Sequence, residues 1–378
     1  MDTSLPNKFE IKPRIYSKLF IWIWVVGLSF ILVQSLFKPF HSIALSGEEW
    51  VPQIEKVRLA SIQDQSFQKQ VDHWTTKKFG FRELSVRAYN QVLYSVFNEV
   101  THFIERGRDG YLFEKNYRKS VCGENLISQS ELELKLDSMS VLASLLADKG
   151  KKLIVLIAPN KYRFYSEKVD LECNPDQTNY GLFKAGFEKA DYTVFDFIEL
   201  FPKMKTEYPL MPRSGTHWSL YGAFMSATMV QDSLVRWGYA GAPLEISAFE
   251  TDIHPRETDK DLHDLLNVMT FAPAEELAYP KSDYHDEKKP RILVVGDSFY
   301  ETFYRNGIHS NVYHKESKHL YYNKKMFGQD RSTGQLINQH DVAIELEKSD
   351  VVMIVSNEVA LGTFGWGFLT DAIDILNE

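Results

Sequence analysis

Residues 19–37, LFIWIWVVGLSFILVQSLF, carry no charge, and their only polar side chains are Ser29, Gln34 and Ser35. Crossing the hydrocarbon of a bilayer takes roughly 20 predominantly apolar residues in a helix, so this run predicts one membrane-spanning helix. Lys8, Lys12, Arg14 and Lys18 precede it. An excess of cations on that flank orients the helix with its N-terminus in the cytoplasm. A cleaved signal peptide is the competing reading, but its apolar core is shorter and a small-x-small site follows closely; neither holds here. Either way, the chain from about residue 38 onward is expected outside the cytoplasm, on an inner-membrane anchor.

The rest of the chain is ordinary globular material. It has 378 residues, of which 44% are hydrophobic and 25% charged, enough for one large core or two moderate ones. A net charge of −8 gives no reason to expect nucleic acid, because phosphate binding wants a basic face. Cys122 and Cys173 are the only cysteines. In an oxidising compartment they can form one disulfide, with two unpaired structural thiols as the alternative.

Four segments are anticipated: a cytoplasmic 1–18, the anchor at 19–37, a helical membrane-proximal segment over 38–105, and an α/β domain over 106–378. Amphipathic stretches such as 74–97 read as helix. From GRDGYLF (107–113) onward the pattern changes. Short apolar, β-branched runs at 152–158, 192–197, 291–295 and 351–355 alternate with helices near 139–149, 182–190 and 220–237. That alternation predicts a mainly parallel sheet covered by helices on both faces, a three-layer α/β/α domain. Residues 240–290, polar and punctuated by proline, are expected to form loops around a site.

Two residues carry the chemistry. Ser298, in Gly296-Asp297-Ser298-Phe299, ends the ILVV strand run and opens a helix. A serine there projects above the carboxyl edge of the sheet, where open α/β sheets bind ligands. The unpaired N–H groups of the helix's first turn can face a developing oxyanion, and Gly296 permits a tight turn. The competing reading makes Asp297 or Ser298 a helix cap. A serine hydroxyl needs a base, and His217, in Ser214-Gly215-Thr216-His217-Trp218-Ser219, stands in a polar loop just before a helix. Asn160 and Lys161 follow a strand end and are candidate substrate contacts, with a helix-capping turn as the alternative. Asn357 follows the last strand and is a candidate oxyanion donor. Asp252-Ile253-His254 reads as a solvated loop and Asp72-His73-Trp74 as helix surface. No His, Cys and acidic residues have metal-ligand spacing, and no phosphate loop or dinucleotide fingerprint occurs, so neither metal nor cofactor is expected.

The ordered set FGFR (79–82), GRDGYLF (107–113), APNKYRFY (158–165), GTHWSLYGA (215–223), DLHDLL (261–266) and GDSF (296–299) resembles the alginate O-acetyltransferase family of the AlgX/AlgJ type, whose members are SGNH-hydrolase-like. The resemblance spans residues 70–360. It implies Ser298 as nucleophile, His217 as base, and Tyr304, six residues after the serine, as a substrate or oxyanion contact; packing is the alternative for Tyr304. The chain departs from the family at one place: its aspartate, two residues before the histidine, falls on Gly215. Asp261 of DLHDLL is the first candidate to replace it, a backbone carbonyl the second, and loss of catalysis the third.

What the resemblance implies is acetyl transfer to hydroxyls of an extracytoplasmic polysaccharide, with a multi-pass membrane O-acyltransferase delivering the acetyl group. A carbohydrate acetylesterase and a non-catalytic glycan-binding subunit are the rival readings.

Overall fold

In the computed structural model, residues 13–47, 62–101, 103–175, 177–270 and 274–378 are described. They fall into two compact units, one made of the described residues up to 98 with 267–269 and the other of those within 99–266 and 270–378.

The smaller unit is helical. Helix Pro13–Phe37 contains Tyr16–Phe37, the one described helix long and apolar enough to cross a membrane, which fits a single-pass anchor. Part of the segment expected to be helical, 48–61, lies outside the described residues. The stretch 74–97 is not one helix: Ser66–Lys78 and Arg82–Val92 are separate. The break falls at Gly80 and Phe81, with Phe81 at φ +64°.

The larger unit is built on a seven-stranded sheet. Its strands are β3 (Lys152–Ala158), β4 (Thr193–Asp196), β7 (Ile292–Gly296), β8 (Lys318–Tyr321), β9 (Lys325–Phe327), β10 (Gly334–Leu336) and β11 (Val351–Asn357). They run in the order β10-β9-β8-β7-β11-β3-β4. The pairs from β8 to β4 are parallel, and the β8–β9 and β9–β10 pairs at one edge are antiparallel, so β9 alone runs against the others.

Alternation along the central strands sorts their side chains onto two faces, since successive residues of a strand point oppositely. Ile154, Leu156, Val294, Met353 and Val355 pack with Trp218, Phe224 and Phe299. Leu153, Val155, Val295, Val352 and Ile354 pack with Met139, Leu142, Phe183 and Phe368 on the other side. Burial on both faces explains why these strands read as continuous apolar runs. Helix Gln129–Asp148, closed at its start by a Ser128–Glu131 capping box, covers the second face. Helix Leu220–Arg236, capped by Ser219, covers the first. The domain is therefore a three-layer α/β/α fold with a mainly parallel sheet.

Two further features frame the sheet. Strands β1 (Ile104–Arg106) and β2 (Leu112–Glu114) pair antiparallel, so residues 104–105 belong to the larger unit. Cys122 and Cys173 are joined by a disulfide. The stretch 240–290 is more ordered than its composition suggests. It holds an antiparallel pair, β5 (Ala248–Asp252) with β6 (Leu277–Lys281), and a short helix, Asp261–Leu266. Residues 271–273 within it are outside the described residues.

Candidate active site

Strand β7 delivers Ser298 to the carboxyl edge of the sheet. Asp297 follows the strand and accepts the Phe299 N–H at 2.9 Å through Oδ1. Ser298 is thereby the first residue of the turn Ser298–Tyr300. The second oxygen of Asp297 accepts the Asn357 N–H at 2.6 Å, tying the serine turn to the end of β11. Burial pushes the Asp297 carboxyl up to about 6, against the pull of those two backbone N–H groups.

Gly296 plays a different part from the one expected. It lies within β7, paired to β11 and β8, and a Cβ there would stand 3.3 Å from His319 Nε2 and 3.4 Å from Val355 Cβ. Close packing between strands, not a tight turn, is what glycine serves here.

His217 meets the serine directly, with its Nε2 2.9 Å from Ser298 Oγ. Its neighbour Trp218 is fully buried. The indole N–H donates to the Phe299 carbonyl at 3.1 Å and to Thr302 Oγ1 at 2.6 Å. The histidine loop is thus pinned to the helical turn that carries the serine.

The other imidazole nitrogen, Nδ1, lies 2.5 Å from Asp261 Oδ2. Asp261 Oδ1 accepts the Thr216 N–H at 2.8 Å. The two segments are fastened at three more points: Ser214 Oγ donates to the Asp259 carbonyl at 3.0 Å, the His263 N–H to the Ser214 carbonyl at 3.1 Å, and the Leu220 N–H to Asp259 Oδ1 at 3.0 Å. The result is a continuous hydrogen-bonded chain from Ser298 through His217 to Asp261. Such an arrangement can take a proton from the hydroxyl and stabilise the imidazolium that forms. Burial pulls the His217 pKa down, but the charge and hydrogen bond of Asp261, helped by Asp297 and Glu301, outweigh it and leave it above the usual histidine value.

Lys161 is buried beneath this loop rather than open to substrate. Its ammonium donates to the Arg213 carbonyl at 2.8 Å and the Gly215 carbonyl at 2.6 Å. Burial pulls it down to about 7, with Asp261 and Glu275 pulling the other way.

Three other expected contacts are committed elsewhere. Asn160 is wholly buried; it caps the short helix Lys161–Phe164 by accepting the Tyr162 N–H and donates to the Tyr117 carbonyl and Ser120 Oγ. Asn357 donates to the Pro159 carbonyl at 2.9 Å and accepts the Val359 N–H at 2.9 Å, which leaves its amide no part in an oxyanion site. The Tyr304 hydroxyl donates to the Gly328 carbonyl at 2.9 Å while its ring stacks on His309 at 4.3 Å. Asn160 follows the capping alternative and Tyr304 the packing one. The decoy His254 is exposed and pairs with Asp252, as a solvated loop would.

The first helical N–H groups are not all free for an oxyanion. That of Phe299 goes to the Asp297 side chain and that of Tyr300 to the Asp297 carbonyl. What faces Ser298 instead is a residue the sequence did not point to. The Tyr322 hydroxyl lies close enough to Ser298 for the serine's side chain and backbone to act on its titration. Burial raises its pKa well above the ordinary tyrosine value, with Asp297 adding to the rise and Ser298 opposing it. Tyr322 and Asn323 are the two central residues of the β8–β9 hairpin, at φ +49° and +51°, closed by the Lys324 N–H to the Tyr321 carbonyl at 3.0 Å. A bulky aromatic in the left-handed region is unfavourable. The Tyr322 N–H donates to the Gly296 carbonyl at 2.9 Å and its ring meets Trp366 edge-on at 5.2 Å, contacts that hold it there. The only sequence trace is the Tyr-Asn pair between two short apolar runs.

Glu114, at the end of β2, also borders the relay. Burial raises its carboxyl pKa, the nearby Asp261 raises it further, and His217 and the Thr216 hydroxyl act in the opposite direction. Among the described residues no cluster of His, Cys, Asp and Glu has the makings of a metal site.

A three-layer α/β/α sheet with a serine at the carboxyl end of a central strand, hydrogen-bonded to a histidine and through it to an acid, is the arrangement of a serine hydrolase-like enzyme, and the family match makes it SGNH-hydrolase-like. Residues 104–306, more than half of the chain, match the family model described as SGNH hydrolase-like domain, acetyltransferase AlgX. The chain belongs to that family. Among curated proteins it is similar to the probable alginate O-acetylase AlgJ of Pseudomonas putida, 24% identical over 224 residues that cover 58% of this chain and 56% of the relative. The AlgJ of Pseudomonas aeruginosa is 21% identical over 252 residues, 59% of this chain and 62% of the relative. The chain thus spans somewhat more than half the length of these curated relatives. The solved O-acetyltransferase domain of Pseudomonas putida AlgJ superposes with a TM-score of 0.43 and 17% identity, over 72% of this chain and 98% of that one.

Proposed function

We propose that this chain is a membrane-anchored O-acetyltransferase that passes an acetyl group through Ser298 to hydroxyls of an extracytoplasmic polysaccharide. The observation that carries the reading is the Ser298–His217–Asp261 relay, at 2.9 and 2.5 Å, within a domain of the AlgX family.

In the first half-reaction Ser298 Oγ attacks the acetyl carbonyl while His217 Nε2 takes the hydroxyl proton. Asp261 holds the imidazole with Nδ1–H directed at its carboxylate and stabilises the resulting charge. The tetrahedral oxyanion is met by the Ser298 N–H and the Tyr322 hydroxyl. Collapse returns the proton from His217 to the leaving oxygen of the donor and leaves acetyl-Ser298. A sugar hydroxyl then attacks, gives its proton to His217, and the imidazolium returns it to Ser298 Oγ as the ester forms on the sugar. The same relay serves both halves.

Gly215 was the main ground for a glycan-binding subunit without catalysis. The carboxylate of Asp261 at His217 weakens that ground. Residues 1–18 are proposed to be cytoplasmic, with Tyr16–Phe37 crossing the inner membrane and the α/β domain beyond it. The donor would be a multi-pass membrane O-acyltransferase, because acetyl-coenzyme A is confined to the cytoplasm.

Intact mass measurement after incubation with a reactive acetyl ester tests the reading. Wild type should gain one acetyl group and Ser298→Ala none. Wild type that gains no acetyl would leave the binding subunit as the answer. Ester that goes to water even when glycan is supplied would mark an esterase.

A further inference from the structure

The smaller unit holds a contact that the relay does not use. Between helices Ser66–Lys78 and Arg82–Val92, the Phe79–Gly80–Phe81 turn lies directly on the apolar helix Pro13–Phe37. A Cβ on Gly80 would come within 2.4 Å of the Ile31 carbonyl oxygen and 2.9 Å of the Ser35 N and Oγ. The Gly80 N–H donates to Ser35 Oγ at 2.7 Å, and that hydroxyl donates on to the Ile31 carbonyl at 2.8 Å. Phe81 stacks on Phe30 at 5.0 Å, and Phe40 closes the trio at 5.7 and 6.0 Å. Gln34 is buried, and its amide exchanges two hydrogen bonds with the Phe40 backbone at 2.7 and 3.1 Å. Gln34 and Ser35, two of the three polar interruptions of the apolar run, are therefore the fasteners, as a low-dielectric setting requires of polar groups.

The position of this contact along the helix sets its depth. The 22 residues of Tyr16–Phe37 make about 33 Å of helix at ~1.5 Å per residue, matched to a hydrocarbon layer of roughly 30 Å. Ser35 lies two residues and Ile31 six residues before Phe37, or about 3 and 9 Å inside its end. Apolar faces that rest in the membrane interface sink roughly 5–10 Å. At that depth Phe79 remains 47% exposed and Phe40 53%, and exposed Lys38 and Lys78 bracket the patch.

Resting on the reading of Pro13–Phe37 as a membrane anchor, we infer that the Phe79–Arg82 turn is a second, non-spanning membrane contact. It wedges into the acyl–headgroup boundary of the outer leaflet. The favoured occupant is bilayer lipid rather than a partner protein, because the turn is bound to the spanning helix itself, at a depth where lipid is the surrounding solvent. Lys38 and Lys78 would meet anionic lipid phosphates.

Nitroxide accessibility in the full chain tests this. The protein, with its cysteines disulfide-bonded, is labelled singly at Val26→Cys, Phe79→Cys or Glu133→Cys and reconstituted into vesicles of phosphatidylethanolamine and phosphatidylglycerol at about 3:1. Val26 reports the anchor and Glu133 the aqueous domain. The Phe79 label should favour oxygen over a water-soluble nickel chelate several-fold relative to Glu133. If Phe79 matches Glu133 while Val26 is lipid-embedded, the wedge is overturned and the anchor stands. If Phe79 is shielded from both reagents, protein covers the turn and the wedge is equally overturned. A nickel-accessible Val26 removes the anchor and the wedge with it. Leu84→Cys, half-exposed in the first turn of the next helix, supplies the same reading should the Phe79 substitution disturb the turn.

Discussion

A Cβ on Gly215 would lie 2.4 Å from the Thr258 carbonyl oxygen and 3.0 Å from the Asp259 carbonyl carbon. No side chain fits there without moving the backbone that carries Asp261. The absence of an acid at 215 and the presence of one at 261 are two sides of one contact. Asp261→Ala is accordingly expected to lower acyl transfer by about 10⁴-fold, the usual cost of removing a triad carboxylate. Gly215→Asp should not rescue it. Recovery in the Gly215→Asp/Asp261→Ala double variant, measured as initial rates of Ser298 acetylation, would show that the helical turn carrying Thr258 can yield.

The pH dependence follows from the direction of the His217 shift. The base must be neutral to accept a proton, and its pKa is raised mainly by Asp261 against the opposing pull of burial. Acylation should rise with pH through an apparent pKa above the ordinary histidine value of about 6.5. Asp261→Asn, which removes the charge and keeps the shape, should move that limb to lower pH. For stability the sign is opposite: a raised histidine pKa favours the fold below the unfolded value, and that contribution is lost as pH rises through the folded one. Chemical denaturation at several pH values reads the second effect separately from the first.

Tyr322→Phe isolates the hydroxyl that faces Ser298. Loss of one oxyanion donor costs roughly 10²–10³ in rate. The ring, its contact with Trp366 and the hairpin should survive, so unchanged thermal unfolding with a rate down by that factor is the expected pair of results. A rate within a few-fold of wild type would leave the Ser298 N–H to meet the oxyanion without Tyr322.

The Cys122–Cys173 disulfide spans 51 residues. By loop-closure entropy a ring of that size is worth about 4 kcal/mol, and measured losses run roughly 2–5 kcal/mol. Cys122→Ser with Cys173→Ser should lower the denaturation midpoint of the folded domain by a corresponding amount. The relay lies on other segments, so acylation by the protein that remains folded should be preserved.

Sequence pattern made the sheet visible because its central strands are buried on both faces: β3, β7 and β11 appear as unbroken apolar runs whatever surrounds them. Ser298 and His217 were visible for a related reason, each sitting beside a strand end or helix start with a glycine and a polar neighbour. Other parts were hidden by chemistry that composition does not encode. Asn160 and Asn357 carry the same amide a ligand site would use, and only the structure reveals that backbone groups consume it. Tyr322 was hidden because an aromatic at φ +49° violates turn preference, and a rule cannot announce its own exceptions. The short helix Asp261–Leu266 lay within a stretch too polar to suggest order, although its DLHDLL motif marked the acid as a candidate.

The steric closure at Gly215 also bears on relatives whose acid stands two residues before the histidine. With Thr258 in its present place an aspartate two residues before the histidine has nowhere to go, so the two positions are alternative hosts for one carboxylate. Relatives that keep the upstream aspartate should keep an open berth where Thr258 now stands.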